Sequence, residues 1–461
     1  MKHIIGIIIC VVFSVTGLAQ QQEIRQIDSV MQTAYKRGIF NGNILVEWKG
    51  QIIYEKSFGF ADGSKTVPLN IELKFDIGSI SKEFNGAAIL LLNERGMLSL
   101  DDNLAKYFPE YPEWAKMVKI RNLINYTSGI PVLGPAADNS DSLIYHSLTR
   151  LKTLTSKPGT TYIYNHINVY LQRRIIEKVS GMSYADFIRK NIFLPAGMNG
   201  SVIDYPVDAP GMSRAFDEAG NNTPYNQGTT GWVRLPVKDL YNWIQALHCN
   251  QILSAGSLKI LAENFPGGES SLGTTDYDGD NLIWHQHQGS NSNYEAAFYI
   301  NLQEKITIVM MTNNQQMKVW PIKTCILNIL HHSAFDIPKK SLYLTIRDKM
   351  LESVDEGLKY YMALKTGYQD TYDFSFEIGD MISTGKYLQR RKKYDDAIKV
   401  FRIAVNLKGR PEDISYGYEL IGESYLGMGD KLNALTHYRK ALEIFPQNKN
   451  ASGMINTFMT R

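Results

Sequence analysis

The sequence predicts an α+β domain, with one antiparallel sheet flanked by helices, followed by an all-α domain. Strand-like stretches occur near both ends of the first 335 residues and helix-like stretches fill the middle. Strands from both ends would therefore join one sheet, with helices packed over it. After Pro338 the pattern changes to helices with regular polar and aromatic faces, and 461 residues suffice for more than one domain.

Two hairpins and a helical middle make up the predicted α+β domain. The stretch "FNGNILVEWKGQIIYEKSFGFAD", from Phe40, has apolar runs on both sides of a turn at residues 49–50. In "AAFYINLQEKITIVMMTN", two β-branched and aromatic runs flank a polar turn at residues 303–305. Between the hairpins, "NGAAILLLNERGMLSLDDNL" predicts a helix that stops at Gly96, and "RIIEKVSGMSYADFIRKNIF" predicts a helical pair.

Two stretches of the all-α part repeat each other with an offset of 37 residues: Gly385, Ala397, Phe401 and Ala404 recur as Gly422, Ala434, Tyr438 and Ala441. This spacing is typical of a tetratricopeptide helical hairpin, in which small residues let two helices approach and aromatic side chains fill the gap. About three units are usually needed, and residues 341–365 could supply a degenerate first unit. A plain helical bundle is the alternative. The repeats predict a contact with a protein or peptide partner.

Composition and charge exclude several classes of protein. The chain is 44% hydrophobic and 21% charged, as ordinary globular proteins are. Its net charge of +3 is small for its length, so no nucleic acid or acidic polymer is expected as a partner. Cys249 and Cys325 could pair in an oxidising compartment, although a chain of this size does not need the disulfide.

The first nineteen residues have the pattern of a secretory signal. Lys2 and His3 precede an apolar run at residues 4–15, which is too short to span a membrane comfortably, and small residues follow it. We expect cleavage after Ala19, a secreted or periplasmic location, and no stable membrane anchor after removal of the signal. An uncleaved anchor is the alternative.

Ser79 and Lys82, in "FDIGSISKEF", are the first candidates for chemistry. Side chains three positions apart on a helix share a face, so the hydroxyl and the amine could form a hydrogen bond. A serine hydroxyl is a poor nucleophile and needs a base beside it. Small and apolar neighbours such as Gly78 and Ile80 are compatible with burial of the lysine. The alternative, which the isolated motif favours, is a capped helix start with a solvated lysine.

Tyr164 precedes a predicted helix in "PGTTYIYNHINVYLQRRIIEKVSG". A phenol near a lysine and a serine hydroxyl can relay protons. A core aromatic residue with a satisfied hydroxyl is the more usual fate of a tyrosine.

His287 and Gly289, in "WHQHQGSNSNYEAAFYI", lie just before the second predicted hairpin. A glycine at a strand lets a substrate approach the backbone, and the amide of Ser290 could then donate to a developing oxyanion. The His287 imidazole would position a substrate carbonyl or carboxylate. A rival interpretation makes His285 and His287 metal ligands on one strand face, but no third ligand of fitting type is evident nearby, so no metal is expected.

These three elements, in this order and after a hairpin, resemble the serine β-lactamase and penicillin-binding-protein superfamily. The nearest branch is that of the β-lactamase-related serine hydrolases, which contains class C β-lactamases, D-amino-acid peptidases and short-chain esterases. The resemblance covers about residues 25–335, through phrases such as "FDIGSISK", "IRNLINYTSGIP", "PGTTYIYN" and "NIFLPAGM". It implies a β-lactamase-like antiparallel sheet with a helical subdomain and a site in the cleft between them.

The signal pattern, the resemblance and the repeats together divide the chain into four expected segments. They are a signal peptide (1–19), a β-lactamase-like hydrolase domain (20–335), a helical linker or degenerate repeat (336–375) and a tetratricopeptide-repeat domain (376–461).

The resemblance also implies roles for individual residues. Ser79 would form the acyl-enzyme, with Lys82 and Tyr164 sharing the proton transfers. The backbone amides of Ser79 and Ser290 would form the oxyanion hole. The residues expected to contact substrate are His166, His287 and Gly289.

Two departures from the family pattern bear on the substrate. The usual Tyr-x-Asn is replaced by Tyr164, Asn165 and His166, and Asn165 would point elsewhere. His287 stands where true β-lactamases usually have lysine, a change common in the esterase and peptidase branch. We therefore expect a hydrolase that cleaves an ester or amide bond in a small-molecule or peptide substrate, without a cofactor, rather than an efficient β-lactamase.

A second hypothesis is a non-catalytic ligand-binding or penicillin-sensing protein that uses its repeats to recruit a partner. His166, in place of the expected asparagine, motivates it. The joint presence of Ser79, Lys82 and Tyr164 weighs against it, because loss of catalysis would leave no reason for all three to persist.

Overall fold

The computed structural model describes residues 20–133, 140–206, 208–224 and 230–459. The predicted signal, residues 1–19, lies outside the described residues. The chain forms two compact units, Met1–Ile337 and Pro338–Arg461. Nowhere in the described ranges is a helix both long enough and apolar enough to cross a membrane.

The strands and helices of the described residues are numbered in chain order. The strands are β1 (Gly42–Trp48), β2 (Gln51–Phe58), β3 (Phe75–Asp76), β4 (Val202–Ile203), β5 (Val233–Leu235), β6 (Thr274–Asp278), β7 (Asn281–Asn291), β8 (Tyr294–Asn301), β9 (Ile306–Thr312), β10 (Lys340–Ser341) and β11 (Tyr372–Asp373). The helices are α1 (residues 20–36), α2 (Ser81–Glu94), α3 (Ile120–Ile124), α4 (Asp141–Arg150), α5 (His166–Ser180), α6 (Tyr184–Ile188), α7 (Val237–His248), α8 (Ala255–Ala262), α9 (Val319–Leu330), α10 (Leu342–Glu352), α11 (Val354–Gly367), α12 (Glu377–Gln389), α13 (Tyr394–Ala404), α14 (Pro411–Gly427), α15 (Lys431–Ile444) and α16 (Lys449–Met459).

The main sheet of the first unit has the strand order β2, β1, β9, β8, β7, β6, and every neighbouring pair is antiparallel. Strand β1, from the start of the unit, pairs with β9, from its end, in a register that sets Gly42 opposite Thr312 and Trp48 opposite Ile306. This confirms the antiparallel sheet assembled from both ends of the domain.

Strands β1 and β9 are buried on both faces because each face is covered by helices. Leu45 and Val309 belong to the large core that contains α2, whereas Ile44 and Ile308 belong to a second core with α1 and α9. Side chains alternate between the two faces of a strand, so continuous apolar runs suit strands buried on both sides. The sheet is therefore a middle layer, and the α2 side of it carries the candidate site.

The prediction that His287 and Gly289 lie just before a strand pair is wrong. Both residues lie inside β7, an eleven-residue strand that pairs with β6 and with β8. The strand was missed because "NLIWHQHQGSN" is rich in polar residues with weak strand preference. Its pairing on both sides, with a buried inner face at His285, His287 and Gly289, outweighs that preference.

The second unit contains α10 to α16 and two short strands. The repeated residues make equivalent contacts: Gly385 lies against the ring of Phe401, and Gly422 against the ring of Tyr438. Helices α10 and α11 bury side chains such as Leu342 in the same core as α12 and α13. The helical character is as expected, and the tetratricopeptide assignment stays a prediction.

Candidate active site

Ser79 lies on a short 3-10 turn, Gly78–Ile80, between β3 and α2. Gly78 has a φ of +53°, which glycine adopts without steric cost. Its amide donates to Asp76 Oδ1 (2.8 Å), and Asp76 forms a fully buried ion pair with Arg234 Nε (3.2 Å). The carboxylate thus holds the turn from beneath and fixes where the Ser79 hydroxyl emerges.

Strand β7 packs directly against this turn because two glycines let the backbones meet. A Cβ atom at Gly289 would lie 1.9 Å from Ile77 O and 2.6 Å from the Ser79 amide nitrogen. A Cβ atom at Gly78 would lie 2.3 Å from the Ser290 amide nitrogen. The two amides assigned to the oxyanion hole are thereby brought close together beside the Ser79 hydroxyl.

Lys82 and Tyr164 both reach the Ser79 hydroxyl. Lys82 Nζ donates to Ser79 Oγ (2.8 Å), and Tyr164 OH donates to the same oxygen (2.9 Å). Lys82 is 3% exposed, so the interpretation as a solvated lysine is wrong. Tyr164 is 37% exposed and its ring lies 5.0 Å from that of buried Tyr126. The turn supplies Ser79, α2 supplies Lys82, and the segment before α5 supplies Tyr164.

The lysine lies beneath aromatic rings. Lys82 Nζ is 5.2 Å from the ring centroid of Tyr164 and 5.3 Å from that of Trp232, which precedes β5. Aromatic ring faces attract cations at such distances. Trp232, which is 9% exposed, therefore belongs to the wall of this site.

His166 is at the first position of α5 and lies within the same wall. Its ring centroid is 6.4 Å from that of Tyr164 and 6.1 Å from that of Trp232. Burial and the nearby positive charge of Lys82 lower the pKa of His166 to about 4, so the imidazole is neutral at neutral pH. A neutral ring can still donate and accept one hydrogen bond each.

Asn165 does not take the place of the family's asparagine. Its side chain caps α5 by accepting from the Ile167 amide (2.8 Å), and its Nδ2 donates to the carbonyls of Ile130 (2.9 Å) and Pro131 (3.0 Å). It is 2% exposed. As expected from its displaced position, it points away from Ser79, and its role is to hold α5 to the segment after α3.

His287 is brought to the site, but one of its ring nitrogens is bound by a residue that the sequence analysis missed. His287 Nδ1 donates to Glu83 Oε1 (2.6 Å), and Trp243 Nε1 donates to Glu83 Oε2 (2.7 Å). Burial acts to raise the pKa of Glu83, but the adjacent His285 and His287 outweigh it and hold the pKa at about 2. Glu83 is therefore a buried carboxylate.

A sequence signal for Glu83 existed. It is the one carboxylate among the small and apolar residues of "SISKEFNGAAILLL", and a charge on a buried helix face needs a partner. His285, on the same strand face as His287, hydrogen-bonds through Nε2 to the Leu272 carbonyl (2.6 Å) and through Nδ1 to His248 (2.9 Å). Within the described residues no group of three or more His, Cys, Asp or Glu side chains is arranged to hold a metal ion.

Both cysteines of the described residues, Cys249 and Cys325, are free thiols. Cys249 is exposed, whereas Cys325 is buried and donates from Sγ to the Asp336 carbonyl (3.0 Å).

Several known proteins resemble this chain in sequence or in fold. A family model described as β-lactamase matches residues 25–321. A penicillin-binding protein of Bacillus subtilis (strain 168) is 26% identical over an alignment of 382 residues that covers 74% of this chain and 82% of that protein. A solved class C β-lactamase is similar with a TM-score of 0.59 and 19% identity, covering 69% of this chain and 98% of that one. An octameric penicillin-binding protein homologue from Pyrococcus abyssi gives 0.57 and 24%, covering 72% and 81%.

Proposed function

The chain belongs to the β-lactamase family, whose members are generally hydrolases. We propose that it is an exported serine hydrolase that works through an acyl-enzyme on Ser79. The bond cleaved is an ester or an amide. One observation carries the proposal: Ser79 Oγ lies within hydrogen-bond distance of both Lys82 Nζ (2.8 Å) and Tyr164 OH (2.9 Å). A serine hydroxyl with two proton-transfer groups is an activated nucleophile.

The proposed reaction has two halves. Ser79 Oγ attacks the substrate carbonyl carbon while its proton passes to the hydrogen-bonded Lys82 and Tyr164 groups, which share the transfer. The amides of Ser79 and Ser290 donate to the carbonyl oxygen as it gains negative charge. The proton then goes to the leaving oxygen or nitrogen, and the acyl group stays on Ser79. Water, deprotonated by the same groups, attacks the acyl-enzyme and releases the carboxylic acid and free Ser79.

The contributions of proton transfer and of the oxyanion donors to the rate have known orders of magnitude. Positioned proton transfer contributes about a hundredfold to ten-thousandfold to a rate. Each oxyanion donor contributes about a hundredfold to a thousandfold. Together they support turnover of an activated ester without any cofactor.

Two histidines support the proposed substrate class. His287 stands in the place of the lysine of true β-lactamases, and His166 presents a neutral imidazole where the family has an amide. An imidazole differs from an amide in size and in the direction of its hydrogen bonds. These differences favour a short-chain ester or a D-amino-acid peptide over a β-lactam.

Intact-mass spectrometry tests this function. The mature protein is incubated with p-nitrophenyl butyrate and, separately, with benzylpenicillin, beside Ser79→Ala as control. We expect an acyl adduct that forms and disappears with the ester, with release of p-nitrophenol, and no adduct on Ser79→Ala. Wild-type hydrolysis by Ser79→Ala would refute the assignment of the nucleophile.

The second candidate is a penicillin-sensing protein, and His166 is the observation that favours it. A stable penicillin adduct on Ser79 with no turnover of either compound would support the sensor. It would also predict that the second unit binds a partner only after acylation.

Export and the partner surface are further parts of the proposal. The basic and apolar pattern of residues 1–19 supports secretion into the periplasm or medium, and the repeated helices of the second unit support a protein or peptide partner. The N-terminal sequence of protein recovered from the periplasm or medium should begin at Gln20. A cytoplasmic protein that still begins at Met1 would contradict export.

A further inference from the structure

Glu83 takes no part in the proton transfers proposed above, yet it is a fully buried carboxylate next to the reacting groups. It follows Lys82 on α2 and is 0% exposed. Burying an unpaired charge is costly, so the groups that pair with the Glu83 carboxylate indicate its role. They are His287 Nδ1 at 2.6 Å, Trp243 Nε1 at 2.7 Å and, at the longer distance of 3.5 Å, His285 Nε2.

His285 Nε2 donates its hydrogen chiefly to an acceptor other than Glu83. This nitrogen lies 2.6 Å from the Leu272 carbonyl oxygen, which can only accept, so Nε2 must carry a hydrogen directed at that oxygen. Glu83 Oε1 is 3.5 Å from the same nitrogen and receives at best a minor share. The short bond to Oε1 therefore belongs to His287.

A carboxylate oxygen also only accepts, so His287 Nδ1 carries the hydrogen of the 2.6 Å bond. The other ring nitrogen, Nε2, has no hydrogen-bond partner within the described residues. The His287 side chain is 6% exposed, and its Nε2 is not among the described atoms that are fully buried without a partner, whereas His248 Nδ1 is. Nε2 is thus the atom of His287 available to a ligand.

The strand geometry places His287 near the turn that carries the nucleophile. His287 and Gly289 are two residues apart on β7 and lie on the same face, about 7 Å apart along the strand. Gly289 touches the turn that carries Ser79. A ring at His287 therefore borders the space in front of the Ser79 and Ser290 amides.

We propose that Glu83 is a positioning residue, which binds His287 Nδ1 so that Nε2 is presented to the substrate of the Ser79 reaction. This deepens the proposed function and rests on it. Trp243 makes the carboxylate rigid, because its indole N–H binds Oε2 while its ring stacks on Phe84 at 4.3 Å. Since Glu83 adjoins Lys82 on α2, one helical turn fixes both the proton-transfer amine and the substrate-binding imidazole.

The tautomer of His287 can be measured without any turnover. Nitrogen-15 NMR of protein labelled in histidine, with the signal assigned by its loss in His287→Ala, reports which ring nitrogen carries a hydrogen. We expect hydrogen on Nδ1 in the wild type and a mixture of tautomers in Glu83→Gln. A wild-type His287 with no hydrogen on Nδ1 would overturn the inference, whether or not the protein proves to be a hydrolase.

Steady-state kinetics with p-nitrophenyl butyrate test the consequence. We expect Glu83→Gln to lower kcat/KM about tenfold to a hundredfold, the range for loss of an orienting bond to a charged group. In a His287→Ala background the same substitution should cost less than about threefold, because the ring that it positions is gone. An equal loss in both backgrounds would mean that Glu83 acts only on the fold, and would refute the positioning role.

Glu295→Gln is the matched control. Glu295 is also a buried carboxyl group, bound by Gln288 Nε2 (2.6 Å) and the Met317 amide (3.2 Å), and burial raises its pKa to about 7. It pairs with Ser290 across β7 and β8, so its side chain lies on the sheet face opposite His287. Glu295→Gln should leave both kcat/KM and the His287 spectrum unchanged. If Glu295→Gln changed kcat/KM or the His287 spectrum as much as Glu83→Gln does, the effect would not be specific to Glu83, and the positioning role would be refuted.

Discussion

Replacing Gly289 by alanine should disable the site with a single methyl group. The added Cβ would lie 1.9 Å from Ile77 O and 2.6 Å from the Ser79 amide nitrogen, and both atoms belong to backbone. Ordinary contact requires β7 to retreat from the nucleophile turn by about 1 Å or more, and displacements of this size cost about a hundredfold in rate. The Ser290 amide moves with the strand, so the loss adds to that of a weakened oxyanion donor. We expect kcat/KM to fall by about a hundredfold to a thousandfold.

The assay is hydrolysis of p-nitrophenyl butyrate together with urea denaturation. Gly256→Ala is the control, because Gly256 lies in α8 with nothing closer than Ser254 Oγ at 3.9 Å and should tolerate the methyl group. Gly289→Ala should lose activity under conditions in which the protein is still folded. A folded Gly289→Ala variant with activity within fivefold of the wild type would refute the close approach of β7 to the turn.

Three other outcomes follow from the site. Tyr164→Phe, which keeps the ring against Tyr126, should lower kcat for the ester by about a hundredfold; a loss below tenfold in stopped-flow assays would exclude Tyr164 from proton transfer. Asn165→Ala should reduce the free energy of unfolding by about 2 kcal/mol in urea, through loss of a helix cap and two buried hydrogen bonds, and an unchanged value would contradict the structural role. The pKa of His166 is lowered to about 4 by burial and Lys82, whereas an unfolded histidine titrates near 6.5. Stability should therefore fall by about 2 kcal/mol between pH 7 and pH 4.5 on account of this residue, and His166→Asn should lose less over the same interval; equal losses would show that folding does not lower the pKa of His166.

The parts of the structure that the sequence predicts well are those encoded over short distances. The hairpin around residues 49–50 and the segment from β8 to β9 were found because alternation and turn residues are local signals. Ser79 and Lys82 are one helical turn apart, so their proximity is built into the spacing. Tyr164 is 85 residues from Ser79, and only the resemblance to a family connected the two in advance.

The contacts of His287 could not be found in this way. Its partner Glu83 is 204 residues away, and nothing in either local pattern specifies the pairing. Strand β7 was hidden by its polar composition, so the face on which His287 lies depends on pairing with β6 and β8. A strand slipped by one residue would turn His287 and Gly289 outward together.

The register of β7 decides which of its side chains face inward, and one face of this strand carries several residues of the candidate site. His285, His287 and Gly289 alternate inward along β7. His285 is bound to interior groups, His287 joins Glu83 to the substrate space, and Gly289 admits the turn of Ser79. Because the same pairing with β8 sets all three, the oxyanion amide and the imidazole cannot drift apart independently. A substitution that shifts β7 should therefore impair substrate positioning and oxyanion stabilisation together, whereas Glu83→Gln should impair the first alone.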